Sequence, residues 1–325
     1  TTPVQVTVQS TPTAGAIAAA QTICNGGDPV AFTSTTDGTG SGTITYRWES
    51  SVSPYTTWNT IAGQTGATYD VPAGLSVTTQ YRRITISTLN GVSCESSATT
   101  PVQVTVQSTP TAGAIAGDQT VCNGGDPLAF TSTTAGTGSG TISYRWESNT
   151  NLVTPNWSVV GGVTTATYDV PAGLSATTQY RRITISTLNG VPCESVPSNT
   201  VQVTVQSTTT AGAIAAAQTI CNGGDPVAFT STTDGTGSGT ISYRWESNTN
   251  LVTPNWSVVG GVTTATYDVP AGLSATTQYR RITISTLNGV TCESAPTTAV
   301  QVTVQSTTTA GAIAAAQTIC NGGDP

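Results

Sequence analysis

The chain has 325 residues and a net charge of −7, and only 8% of its residues are charged, against about 25% in ordinary domains. Lysine and histidine are absent and all nine cations are arginine, which argues against a nucleic-acid partner and leaves only scattered carboxylates for acid–base work. The sequence is therefore not read as an enzyme, no cofactor or metal is expected, and no apolar run is long enough to span a bilayer.

Residues 1–10, Thr-Thr-Pro-Val-Gln-Val-Thr-Val-Gln-Ser, match Thr99–Ser108 residue for residue and read as the last strand of a preceding module. There is no methionine and no leader, as expected of a piece of something longer. An opening strand is predicted through Ala16–Cys24, a turn at Asn25–Pro29, a second strand over Val30–Thr36 and a glycine-rich hairpin loop at Asp37–Gly42. Ile44–Glu49 then alternates apolar and polar side chains, the period of a half-buried strand with Ile44, Tyr46 and Trp48 inward. The same stretch returns at Ile142–Glu147 and Ile241–Glu246, so Trp48, Trp146 and Trp245 recur at spacings of 98 and 99.

After this strand come a loop over Ser50–Thr57, strands at Trp58–Gly63 and Ala67–Val71, and Leu75–Gln80 leading into Tyr81–Leu89. Asn90-Gly91 is a hairpin signal, and Val102–Val106 is the final strand. Along Tyr81–Leu89 the parities conflict: Ile84 and Ile86 place Arg82 inward, whereas Tyr81 places Arg83 inward, a conflict a bulge would resolve. Short strands with turn signals every 8–12 residues predict an all-β chain of tandem immunoglobulin-like β-sandwich modules of about 99 residues. The predicted layout is 1–10 as a preceding module's last strand, modules at 11–108, 109–207 and 208–306, and the start of a fourth at 307–325. The one indel between modules falls in the Ser50–Thr57 loop, where length changes are tolerated.

The order Cys-Asn-Gly-Gly-Asp-Pro, Tyr-Arg-Trp-Glu, Ala-Thr-Tyr-Asp-Val-Pro, Gln-Tyr-Arg-Arg and Asn-Gly-Val-x-Cys resembles the immunoglobulin-like repeats of large bacterial surface adhesins. It is most similar to those of gliding Bacteroidota exported by type IX secretion. The resemblance covers essentially the whole chain; it implies a cell-surface filament or stalk and no catalytic residue.

Cys24 and Cys94, Cys122 and Cys193, and Cys221 and Cys292 recur in step, with Cys320 opening a fourth set. Without histidine this spacing points to an oxidising compartment and not to zinc. Bonds within each module, Cys24–Cys94, Cys122–Cys193 and Cys221–Cys292, are the favoured scheme. Strand direction favours a different one: Cys24 ends the first strand while Cys94 follows the sixth, at opposite poles of a regular sandwich, so junction bonds Cys24–Cys193 and Cys122–Cys292 stay open, as do free thiols.

Trp48, Trp146 and Trp245 are expected in the core. Trp58, Trp157 and Trp256 follow the variable loop and are the candidates for glycan contact, with packing as the simpler reading. Arg47, Arg82 and Arg83 lie on neighbouring strands, where Glu49 can pair across from Arg82 or Arg83. Asn156-Trp157-Ser158 and Asn255-Trp256-Ser257 fit an N-glycosylation sequon, though the first module has Thr57-Trp58-Asn59 instead. The Asp28 and Asp37 turns lack the clustered carboxylates of a calcium site.

Thr111–Thr209 and Thr210–Thr308 differ at ten of 99 positions, which suits a part made for reach. The leading expectation is a structural segment of an extracellular adhesin filament at the cell surface that projects a binding tip. Its expected partners are neighbouring modules, lateral copies in a filament and surface glycans. The rivals are a glycan-binding module array and an accessory array on a secreted hydrolase or a virion.

Overall fold

The computed structural model describes residues 1–324, and every regular element among them is a β-strand. The first repeat contributes β1 (Ala16–Ile17), β2 (Gln21–Cys24), β3 (Ser34–Thr36), β4 (Thr43–Val52), β5 (Asn59–Thr60), β6 (Thr79–Leu89), β7 (Val92–Ala98) and β8 (Val102–Gln107). Their counterparts in the second repeat are β9 (Ala114–Ala116), β10 (Gln119–Val121), β11 (Thr131–Thr134), β12 (Thr141–Asn149), β13 (Ser158–Val160), β14 (Thr178–Leu188), β15 (Val191–Glu194) and β16 (Val201–Val205). In the third they are β17 (Ala213–Ile214), β18 (Gln218–Cys221), β19 (Ser231–Thr233), β20 (Thr240–Asn248), β21 (Ser257–Val258), β22 (Thr277–Leu287), β23 (Val290–Glu293) and β24 (Val300–Gln305).

In the first repeat the larger sheet runs β2-β8-β6-β4-β5, with β7 also on β6. β2 lies parallel to β8, and β8 antiparallel to the start of β6. Facing this sheet are the β1–β3 pair and the extended bridge Phe32–Tyr69. The third repeat repeats this arrangement strand for strand. Two antiparallel layers closed by a parallel first-to-last pairing make an immunoglobulin-like sandwich.

Ile17, Phe32, Tyr69 and Val71 from one layer pack on Trp48, Tyr81, Val104 and Ile23 from the other. Trp48, Trp146 and Trp245 have no exposed surface. Each indole N–H donates to a backbone carbonyl, Gly66, Thr165 and Thr264 at 2.9, 3.0 and 3.0 Å, so the buried donor stays satisfied. Phe32 stacks on Trp48 at 6.0 Å and Tyr81 leans on Phe32 at 5.3 Å.

Four local expectations are corrected. Ala16–Cys24 is two short strands, β1 and β2, that join different sheets. Of Val30–Thr36 only the end, Ser34–Thr36, is a strand (β3, on β1), and Val30 is exposed, while Ala67–Val71 contributes only the bridge from Tyr69 to Phe32. β4 continues through Ser50 to Val52 before the variable loop. A further strand, β7, follows the Asn90-Gly91 hairpin and pairs with the far half of β6, so two strands share the edge along β6.

The parity conflict in β6 resolves without a bulge against β4, whose register is continuous from Thr43–Thr88 to Val52–Thr79. Tyr81, Arg83, Thr85 and Ser87 face inward and are buried, while Arg82 faces out. The Asp37–Gly42 loop covers this polar half of the inner face. A Cβ on Gly38 would stand 2.0 Å from Thr85 Oγ1, so the close approach requires glycine there.

By its backbone contacts the chain divides into two compact units. One comprises Thr1–Asp118, Leu128–Val170 and Thr178–Gln202; the other comprises Gln119–Pro127, Pro171–Thr177 and the chain from Val203 on. The division passes through the second repeat, so each unit holds one whole repeat and part of the second.

Candidate functional site at the inter-repeat junctions

The feature that departs from a plain string of sandwiches lies where one repeat meets the next, inside each unit. In the first unit the end of β2 reaches the β14–β15 hairpin. Cys24 and Cys193 are disulfide-bonded with Cα atoms 5.6 Å apart, inside the usual range for a disulfide. Beside the bond, Asn189 Nδ2 donates to Thr22 Oγ1 at 3.0 Å. Gln107, at the end of β8 and fully buried, donates to the Val191 carbonyl at 2.8 Å and accepts from Ser186 Oγ at 3.3 Å. Asn25 Nδ2 reaches Thr109 Oγ1 at 3.2 Å, and the Ser108 and Ser139 hydroxyls meet at 2.7 Å.

In the second unit the same parts recur. Cys122 and Cys292 are bonded, again with Cα atoms 5.6 Å apart. Asn288 donates to Thr120 at 3.0 Å, buried Gln206 donates to the Val290 carbonyl at 2.9 Å, and Ser285 donates to Gln206 at 3.1 Å. Asn123 donates to Thr208 at 2.7 Å, and Ser238 to Ser207 at 2.8 Å. A buried glutamine whose amide and carbonyl are both satisfied orients the linker, while the disulfide fixes the strand end.

The favoured within-module pairs are not formed. Cys94 is a half-buried free thiol, and Cys221 and Cys320 are exposed free thiols. The reason is register. Cys24 lies opposite Gln107 and Cys94 opposite Ser87, while Val104 lies opposite Thr79. That places the two cysteines about eleven residues apart along the sheet, roughly 36 Å at about 3.3 Å per residue, far beyond disulfide reach.

The hairpin itself is built by turn chemistry. Asn90, Asn189 and Asn288 adopt φ of 52°, 51° and 50°, each followed by a glycine with φ near 80°, the pattern of a two-residue hairpin turn. It holds the asparagine side chain, the next valine's carbonyl and the cysteine in one fixed relation. Asn189, Gln107 and Thr22 were missed as site residues, because an asparagine in a turn or a glutamine at a strand end reads as ordinary surface. Their signal was the recurrence of Gln9, Gln107, Gln206 and Gln305 before a serine.

Trp58, Trp157 and Trp256 are half-buried, and each carries an arginine on its ring: Arg82, Arg181 and Arg280 at 4.1, 4.2 and 4.2 Å from the centroid. The same arginines pair with Glu49, Glu147 and Glu246, each at 2.7 Å. Arg47 bonds Glu95 as well as Glu49. The hydrogen bond to Glu95 is the main cause that holds the Arg47 guanidinium above its usual value and the Glu95 carboxyl below its own. The outer arginines are thus engaged with carboxylates and rings. Among the described residues no cluster of His, Cys, Asp or Glu is suited to a metal ion, and no helix is long and apolar enough to cross a membrane.

The model of the family described as a domain of unknown function, DUF8696, matches residues 13–108, 111–207 and 210–306. The chain belongs to this family. No curated protein matches it. Among solved structures, the DUF8696 array is similar to titin domains I67–I69 at 14% identity, covering 90% of this chain and 98% of that one, with a TM-score of 0.43. Three N-terminal domains of the bacteriophage RB49 highly immunogenic outer capsid protein align at 12% identity, 88% and 96% coverage and a TM-score of 0.38. Extracellular domains 3–5 of Drosophila OTK align at 12% identity, 90% and 96% coverage and 0.28.

Proposed function

We propose that this DUF8696 array is a structural stalk segment of an extracellular adhesin at a cell surface, with links at 11–108, 109–207 and 208–306, and that its work is to hold a binding tip at a distance under load. The observation that carries this reading is the duplicated junction, in which a covalent bond joins Cys24 and Cys122, at the second-strand ends of the first two repeats, to the hairpin of the following repeat. Disulfides belong to an oxidising compartment, which supports an exported location. The resemblance of the cysteine, tryptophan and asparagine-glycine motifs to bacterial adhesin repeats supports a bacterial surface. A glycan-binding array has less support, because the ring face of each candidate tryptophan is occupied by an arginine.

Under tension the bonds reroute the force. The shortest covalent path between the ends runs through residues 1–24, back from 193 to 122, and then 292–325, about 40% of the chain's full contour at ~3.4 Å per residue. Single-molecule pulling on the oxidised chain should therefore stop near two fifths of the extension reached after reduction. The reduced chain should yield in separate, evenly spaced events, one per repeat. Equal extension in both states, or one rupture of all three repeats together, would refute the load-bearing reading.

A further inference from the structure

Lysine is absent, and every arginine lies in β4 or β6 or in their counterparts β12, β14, β20 and β22. Endoproteases bind a substrate as an extended strand and pair with its backbone. A strand already held in a ladder cannot offer that pairing. Arg47 is registered opposite Ile84, and Arg83 opposite Trp48, with the Thr99 amide donating to the Arg83 carbonyl at 2.9 Å. Endoproteases specific for basic residues therefore meet no open site in the folded chain.

Aliphatic residues are placed differently. Between β12 and β13, and between β20 and β21, residues 150–157 and 249–256 belong to no strand. At the tips Val153 and Val252 are each 90% exposed, beside partly exposed Leu152 and Leu251. The Val153 and Thr154 amides donate to Asn151 Oδ1 at 3.2 and 3.0 Å, and the Val252 and Thr253 amides to Asn250 Oδ1 at 3.2 and 3.1 Å. Side-chain bonds, and no strand pairing, must give way for these tips to extend. The first repeat lacks such a tip, because Val52 belongs to β4 and no aliphatic residue follows before Trp58. Val30 and Val227 are exposed as well, but Gln21 and Gln218 hold both their amides and their carbonyls. Two residues further on, Phe32 and Phe229 are fully buried, so neither segment can leave the sandwich cheaply.

The disulfides decide what a cut does. Cys24–Cys193 and Cys122–Cys292 close overlapping loops, and together they span every peptide bond from Cys24 to Cys292. A cut after Val153 leaves two pieces, 1–153 and 154–325, joined by both bonds. A second cut, after Val252, leaves the middle piece tied to Cys24 through Cys193 and the last piece tied to Cys122 through Cys292.

We propose that the Leu152-Val153 and Leu251-Val252 loop tips are cleavage sites for endoproteases that accept an aliphatic side chain, and that the crossed disulfides keep the nicked chain in one covalent piece. A small apolar specificity pocket fits these side chains, as a pocket carrying a carboxylate fits arginine. In each cut the serine hydroxyl of the protease takes the acyl group, and the new amino terminus leaves with the proton. Water then releases the acyl group as a carboxylate. One peptide bond and one water are consumed, and one carboxyl and one amine are formed. The fold tolerates the cut as exposed loop tips do, since β12 and β20 keep their ladders on either side.

The inference rests on the two disulfides and the loop tips, not on the stalk reading. The oxidised chain, treated briefly with pancreatic elastase or with trypsin, is run on denaturing gels with and without reductant. After reduction, elastase should give internal cuts whose new amino termini are Val153 or Thr154 and Val252 or Thr253. Without reductant, and trimming of the termini aside, one band should stay near 32.8 kDa. Trypsin should leave the native chain whole and cut it once it is reduced and denatured. Leu152→Asp combined with Val153→Asp should remove the first cut and keep the second, and Cys122→Ser should let the 253–325 piece separate without reductant. The proposal is overturned if elastase makes no internal cut or makes its first one elsewhere between Cys24 and Cys292. It is equally overturned if trypsin cuts the native chain as readily, or if the nicked pieces separate without reductant. A joint rupture of all three repeats under force would refute the stalk reading and leave this inference standing.

Discussion

Arg82 and Arg83 are adjacent in sequence and lie on opposite faces of the same sheet. On the outer face Arg82 is partly exposed, pairs with Glu49 at 2.7 Å and lies on the Trp58 ring. On the inner face Arg83 has no exposed surface and, among the described residues, no carboxylate in ion-pair contact. It donates instead to Ser34 Oγ and to the carbonyls of Ala67, Thr36 and Ala14 at 2.9, 2.7, 3.2 and 3.4 Å, with its guanidinium 4.4 Å from the Tyr46 centroid. Burial pushes its pKa down. The two faces show two ways of holding a cation. Outside, a buried carboxylate shared by two part-exposed arginines sets register across the strands. Inside, carbonyl dipoles and a π face take the place of water, and the group ties Ala14, β3 and the Ala67 segment to β6.

The inner face should be the sensitive one, and its apolar half the most sensitive. Trp146→Ala removes a fully buried indole and strands the Thr165 carbonyl. The expected loss is about 3–5 kcal/mol, read from hydrogen exchange of β12 amides in the reduced full chain. A loss below about 1 kcal/mol, far under the usual penalty for a buried aromatic, would mean that the indole is not a core residue.

The next largest effect compares the two arginines directly. Arg182→Met removes the donor to Ser132 and to the carbonyls of Ala166, Thr134 and Ala112. Ala112 keeps Thr184 and Thr134 keeps Ser132, so the loss falls mainly on the Ala166 carbonyl and the space of the guanidinium, at a cost of about 2–4 kcal/mol. Arg181→Met on the outer face loses the pairing with Glu147, which is buried but keeps Arg145, and the contact with half-buried Trp157, about 1–2 kcal/mol. Equal losses from the two substitutions would remove the distinction between the faces.

How far the fold was legible in the sequence follows the same division. The alternation around Trp48 was readable, because that half of the sheet is apolar inside and polar outside. β6 misled, because Ile84 and Ile86 face out while Arg83, Thr85 and Ser87 fill the inner face beneath a glycine loop. β7 is a polar edge strand, Val-Ser-Cys-Glu-Ser-Ser-Ala, with no apolar face to announce it. The disulfides were undecidable from spacing alone, since pairing depends on which pole each strand end reaches. The strand-direction argument located those poles, whereas the habit of one bond per module did not. The hydrogen bonds of Asn189 and Gln107 join residues 167 and 84 positions apart, and no local pattern carries that.

A third test uses the tyrosine that lines the inner face. Burial, and secondarily Tyr168, pushes the Tyr180 phenol up to about 12, above its unfolded value of about 10. A folded value above the unfolded one gives stability that is complete below about pH 10 and lost as pH rises toward 12. Spectrophotometric titration should find this phenol ionising only with unfolding. Free ionisation near the ordinary value, with the fold intact, would show that the inner face is wetter than its packing implies.

The smallest effect belongs to the outer face. The Arg47 guanidinium holds the Glu95 carboxyl below its ordinary value through their hydrogen bond. A depressed folded value gives stability that is present above the unfolded pKa of about 4.3 and lost as pH falls through the lower folded one. Glu95 is partly exposed, so solvent screening keeps the contribution small. Its carboxyl resonance should titrate below the usual glutamate range in the native chain and return to that range in Arg47→Gln, with almost no change in unfolding midpoint at neutral pH. If the resonance titrates alike in both proteins, the pairing is not maintained in solution. If the variant instead loses as much stability as Arg182→Met, the outer cations carry structural weight comparable to the inner ones, and the contrast between the faces fails.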